Sequence, residues 1–147
     1  MVRANIRFSG VEDVLRNLNA LPGQLDRYVI ADGLKAGADV LRNAARQTVE
    51  FEDDTGALRK TIRSRKSRSK VSAQVLAGGK RANYAFFVEY GTIFLPPRPY
   101  LESALVANEG LIYDAMVTGM RLSFQELGRR LTTGSGITRE IRRLARR

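Results

Sequence analysis

The stretch YAFFVEYGTIFLPPRPYLESAL, residues 84 to 105, restricts the fold more than any other part of this chain. Its first seven residues, Tyr84 to Tyr90, are aromatic and β-branched enough to predict a strand in the middle of a sheet. Gly91 and Thr92 form a corner, and a proline clasp follows, in which Pro99 suits the first turn of a helix because its missing N–H would have no partner there. That helix is expected to hold Leu101, Leu105, Leu111 or Ile112, Ala115 and Leu122 on one stripe, to about Leu127. Alternation along the strand puts Ala85, Phe87 and Glu89 on one face and Tyr84, Phe86, Val88 and Tyr90 on the other. Glu89 then stands on the solvent face of the sheet or pairs with a base such as Arg98.

Upstream, Val2, Ala4, Ile6 and Phe8 alternate with polar residues as in a half-buried strand. Ser9 can cap a short helix carrying Val11, Val14, Leu15 and Leu18, which Leu21-Pro22-Gly23 ends. A longer helix is predicted from Gln24 to about Val49, with Ile30, Leu34, Ala38, Leu41 and Ala45 facing a sheet and Asp32, Lys35, Asp39, Arg42 and Arg46 mostly turned away. Gly33, Ala36, Gly37 and Ala38 give it a small surface suited to close packing on that sheet. Asp54 or Thr55 can cap a one- or two-turn helix through Leu58 and Ile62. RSRKSRSK, 63 to 70, has too few apolar residues for a central strand and fits the exposed arm and tip of a long hairpin, which Val71, Ala73, Val75 and Ala77 complete. The expected fold is α+β: a small antiparallel sheet with a long extended hairpin, packed against two long helices on one face. Residues 1–131 form one domain in this reading, and 132–147 a flexible linker, TTGSG, with a basic C-terminal segment whose Ile137, Ile141 and Leu144 have helical spacing.

Chemistry is sparse. With no cysteine and no histidine, disulfides, thiolate zinc sites and thiol or imidazole catalysis are excluded. Glu52, Asp53 and Asp54 could hold a divalent ion, but acids in a turn feeding a helix N-terminus need no metal to explain them. Glu89 without a second acid or a metal ligand does little catalysis, so a carboxylate-dependent nuclease built on Glu52, Asp53 or Glu89 ranks last. No catalytic residue, cofactor or metal is called for. The first residues do not read as a signal segment and no apolar run approaches a membrane span, which predicts a soluble protein made in the cytoplasm without a membrane partner.

The net charge of +10 is concentrated: residues 59–81 hold nine bases and no acid, and 129–147 seven bases and one acid, whereas 1–58 and 82–128 are net acidic. Such blocks suit a polyanion or an acidic protein surface as readily as open solvent. The candidate contacts are Arg59, Lys60, Arg63, Arg65, Lys66, Arg68, Lys70, Arg142, Arg143 and Arg146. No aromatics interleave with the basic hairpin for base stacking, so any nucleic-acid binding would be salt-dependent phosphate attraction.

YAFFVEYGT followed by PPRPYLESAL, with TGALRKTI upstream, closely resembles the paired motif of the small neck proteins of long-tailed phages, described as head-to-tail joining, head-tail connector or tail-completion proteins. The resemblance covers most of residues 5 to 125, including the order of strand, helices, hairpin, aromatic strand and long helix. It implies an architectural role for the motif residues Tyr84, Val88, Glu89, Tyr90, Gly91, Thr92, Arg98, Pro99 and Tyr100. Tyr84, Val88 and Tyr90 would pack the core, Gly91 would make the corner, Glu89 and Thr92 would hydrogen-bond around it, and Arg98-Pro99 would lock the helix. It further implies a virion part, a ring of several copies between the head connector (portal, adaptor or stopper) and the tail, around the channel that DNA crosses. The basic hairpin and the Arg-rich C-terminus depart from the family pattern.

Overall fold

The computed structural model describes residues 2–4, 25–52, 55–67, 71–80 and 82–132. The expected helix after Ser9, Asp53 and Asp54, the hairpin tip residues Arg68 and Lys70, and the segment after Thr132 with Arg142, Arg143 and Arg146 lie outside the described residues. In chain order the elements are β1 (Val2–Ala4), α1 (Leu25–Gln47), α2 (Ala57–Thr61), β2 (Arg63–Lys66), β3 (Ala73–Ala77), α3 (Ala85–Tyr90), α4 (Tyr100–Ala107) and α5 (Glu109–Thr132). The architecture is α+β.

The sheet has the order β1-β3-β2 and is antiparallel throughout, with Val2 opposite Ala77, Ala4 opposite Val75, Arg63 opposite Leu76 and Lys66 opposite Ala73. Its centre is β3, whose Val75, Leu76 and Ala77 are buried. All four residues of β2 are polar, which suits an edge. The arms of the hairpin are four and five residues, and Ser67 N donates to Ser72 O at 2.8 Å beyond them.

Helix α1 buries Val29, Ala38, Leu41 and Ala45, with Ile30 and Leu34 partly covered. Its charged residues do not all turn away from the sheet, contrary to the helical-wheel expectation. Asp39 accepts hydrogen bonds from Lys35, Arg42 and the Ser64 hydroxyl of β2, Arg46 donates to Ile62 O at 2.9 Å, and Asp32 pairs with Lys66. Edge strand β2 has no apolar face to offer, so the flank of α1 beside it is fastened by polar contacts. Burial alone would raise the Asp39 carboxyl, but the Lys35 and Ser64 hydrogen bonds and the nearby charges of Lys35 and Arg42 outweigh it and hold the group below its ordinary value.

The small residues of α1 face α5, not the sheet. A Cβ on Gly33 would meet the Met120 side chain and, at 2.8 Å, the Met116 carbonyl; one on Gly119 would meet the Ala36 Cβ at 2.8 Å. The second long helix is also two helices. α4 ends at Asn108 (φ −119°), whose side chain donates to Ala104 O, and α5 follows it, with Ile112 N donating to Asn108 O at 2.9 Å. Of the expected Leu111 or Ile112 it is Ile112 that is buried, with Met116, Met120 and Leu127, whereas Leu122 of the expected stripe is exposed. α5 packs antiparallel on α1, as Ser123 meeting Asp32 and Met116 meeting Gly37 show, and it continues through Thr132, the residue expected to open the linker.

The largest correction concerns residues 84 to 90. They form helix α3 beside α4 and β1, not a central strand. Val88 N bonds Tyr84 O and Gly91 N bonds Phe87 O, and the buried set Ala82, Ala85 and Glu89 has helical spacing. The strand preference of the aromatics is overridden because β3 already occupies the sheet centre, and a helix can bury the two small residues and Glu89 together.

Gly33→Ala is expected to lower stability by about 1–3 kcal/mol through overpacking against α5. Gly128→Ala, where an added Cβ meets nothing, should raise it by up to about 1 kcal/mol through helix propensity. Urea denaturation of the two variants checks the opposite signs.

Candidate functional site

Glu89 is the one charged residue buried among the described residues, at 4% exposure. Its carboxylate does not meet Arg98. It accepts the backbone N–H groups of Leu101 at 3.0 Å and Glu102 at 3.2 Å, the first turn of α4. A helix N-terminus leaves such donors without partners and carries partial positive charge, so a carboxylate supplied from another element meets both needs. Pro99 has no side-chain acceptor of its own and makes no cap. Burial nevertheless dominates and pushes the Glu89 carboxyl above its ordinary value, against the lowering effect of the two amides.

Between α3 and α4 the backbone closes on itself. Arg98 N donates to Val88 O at 2.8 Å, Thr92 N to Leu95 O at 2.8 Å, and the Thr92 hydroxyl accepts from Phe94 N at 3.2 Å and Leu95 N at 3.0 Å. Gly91 has φ 72°, and a Cβ there would lie 2.7 Å from both Leu95 O and Pro97 N, so only glycine fits the corner. Behind it Tyr100 is fully buried, edge-on to Phe51 with ring centroids 4.9 Å apart. Burial, helped by the charge of Glu89, raises the Tyr100 hydroxyl far above its ordinary value.

This tightly bonded corner presents apolar side chains outward. Ile93 is 95% exposed and Phe94 89%, with Leu95, Phe86, Phe87 and Tyr90 also exposed. Phe86 stacks against Tyr90 at 4.8 Å and touches Phe87 at 6.0 Å. Tyr84 and Tyr90, expected in the core, are on this surface, and Val88 is half-buried. These exposed apolar side chains stand on a backbone that is hydrogen-bonded within the corner. Helical spacing of Ala85 and Glu89, with glycine just past the helix end, is the signal in the sequence that could have placed the aromatics outside.

The basic candidates divide into two groups. Arg59 is committed to the fold: it donates to Arg46 O, to Thr48 O at 2.8 Å and to Phe51 O at 3.2 Å, and lies over the Phe51 ring at 4.7 Å, closing the C-terminal end of α1. Lys66 pairs with Asp32 and sits over the Tyr28 ring. Lys60, Arg63 and Arg65 are exposed. Among the described residues no group of three acidic or metal-ligating side chains could hold a metal ion, and no helix is long and apolar enough to cross a membrane.

A protein-family model described as "HK97-gp10_like: Bacteriophage HK97-gp10, putative tail-component" matches residues 12–91, more than half of the chain. No curated protein and no solved structure matches.

Replacing Glu89 by glutamine should lower stability by about 1–3 kcal/mol near neutral pH, since one of the two α4 amides then faces an amide group that also carries donors. The sign of the pH dependence follows from the raised value. The unfolded chain releases this proton first, so the extra stability that the protonated group adds over the ionised one is fully present below about 4.5 and is lost as pH rises through the folded-state value, above which the two amide hydrogen bonds remain. Denaturation at a series of pH values should show that decline in the parent protein and a flatter profile in Glu89→Gln.

Proposed function

The chain belongs to the HK97-gp10-like family of bacteriophage tail components, and from that premise we propose that it is a structural protein of the phage neck. Several copies form a ring that joins the DNA-filled head connector to the tail during assembly. The observation that carries this reading is the exposed apolar surface from Phe86 to Leu95, held on a corner whose Thr92, Phe94, Leu95 and Arg98 amides are bonded within it. An assembly protein needs a surface that keeps its shape before its partner arrives, and this arrangement supplies one at little ordering cost. A ring also needs two complementary patches per subunit in a heterologous, closing contact. The Glu89–Gly91–Pro99–Tyr100 corner serves architecture in this reading, with no catalytic step.

The partners are further copies of the chain, the portal, adaptor or stopper on the head side, and tail proteins. Residues 1–131 act as the neck domain and the basic C-terminal segment as a reaching element. A second reading, a non-specific nucleic-acid-binding module, is favoured by one observation: Lys60, Arg63 and Arg65 are exposed on and beside edge strand β2. In the neck those cations face the DNA channel or an acidic neighbour.

Deleting the gene from the parent phage and imaging the lysate by negative-stain electron microscopy should yield filled heads lying apart from finished tails. The double substitution Ile93→Asp, Phe94→Asp should do the same while the purified protein keeps its circular dichroism spectrum. Joined virions in the deletion strain would overturn the neck reading. Tight duplex binding that falls steeply with salt and disappears in Arg63→Glu, Arg65→Glu would favour the second.

A further inference from the structure

The exposed apolar surface needs a cover, and the chain itself carries a segment with matching chemistry. Residues 133–147 hold Ile137, Ile141 and Leu144 at helical spacing among Arg139, Arg142, Arg143, Arg146 and Arg147, with Glu140 the only acid. Glu102, on the first turn of α4, is exposed beside the corner, whereas Glu89 is bonded to the α4 amides. A basic amphipathic segment too short to be stable alone thus meets an apolar surface with an exposed carboxylate at its edge.

Reach decides which copy supplies it. Antiparallel packing with Ser123 at Asp32 carries the end of α5, nine residues later, to the Leu25 end of α1. The apolar surface adjoins the other end, where Phe51, just past α1, touches Tyr100 at the base of the corner. Those ends are about 30 Å apart along the 23-residue helix, at about 1.5 Å per residue. Ile137 lies five residues beyond Thr132 and can stand no more than about 18 Å from it even fully extended. The first apolar anchor of a subunit therefore falls short of its own surface.

We propose that the Phe86–Leu95 surface receives the basic C-terminal segment, residues 137–147, of a neighbouring copy. This rests on the ring reading above and gives the ring its two unlike patches: an apolar acceptor with Glu102 beside it at one end of each subunit and a basic amphipathic donor from the other end. The arrangement is heterologous, so copies add head to tail until the ring closes.

Because the chain has no cysteine, disulfide trapping on the full-length protein tests it directly. A mixture of Phe94→Cys and Leu144→Cys proteins, oxidised and run on a non-reducing gel, should give a mixed dimer several-fold faster than Leu122→Cys with Leu144→Cys, Leu122 being exposed elsewhere on α5. The double variant Phe94→Cys, Leu144→Cys should form a ladder that grows with protein concentration. Closure of the double variant into an internally linked monomer at every concentration would overturn the proposal, as would pairing of Phe94→Cys no faster than Leu122→Cys. Failure of the neck reading is visible separately, as joined virions without the gene, whatever the gel shows.

Discussion

The rest of the corner depends on one buried carboxylate. Taking a carboxylate out of water costs several kcal/mol unless hydrogen bonds replace its hydration. Glu89 finds part of that replacement in the Leu101 and Glu102 amides, which would otherwise lack partners at the start of α4. This single contact ties α3 to α4 across a loop of glycine, threonine and prolines, and so sets where Tyr100 and Leu101 enter the core beside Phe51. With the Thr92, Phe94, Leu95 and Arg98 amides bonded within the loop, Ile93, Phe94 and Leu95 are held outside.

Two seams hold the body to which that corner is attached, and they use different physics. Between α1 and α5 the seam is steric: Gly33, Gly37 and Gly119 let backbones approach until methionine side chains fill what remains. Between α1 and edge strand β2 it is polar, with Asp39 gathering Lys35, Arg42 and Ser64 and with Arg46 reaching the Ile62 carbonyl. Much of the positive charge that composition alone would assign to a partner is used inside the molecule. Arg59 closes a helix end, and Lys66 pairs with Asp32 while lying over Tyr28.

Where one periodicity dominated, the fold was legible. The apolar stripe of α1 and the edge position of β2 were readable, the first because α1 buries one face and its residues repeat with it, the second because RSRK has nothing apolar to bury, while β3 buries Val75, Leu76 and Ala77 in a row rather than alternating. Residues 84 to 90 were misread because six or seven residues of aromatic and β-branched character fit a strand as well as a helix, and only the tertiary context, with β3 already at the centre, selects between them. The stripe of the last helix held as far as Ile112 and departed at Leu122, which is exposed while Met116 and Met120 fill the seam beside the α1 glycines. The motif residues around Gly91 were visible as a corner. What they hold outward was not, since exposure of Phe94 depends on hydrogen bonds that a linear pattern does not show.

In the proposed neck role, a corner bonded from within holds out an apolar surface that assembly covers. Amide hydrogen exchange, compared between the free protein and joined particles, would reveal that cover. Slow exchange is expected at Leu101 and Glu102 in both states, with marked slowing across residues 84 to 95 on joining. Fast exchange at Leu101 and Glu102 in the free protein, or unchanged exchange across 84 to 95 in joined particles, would contradict it.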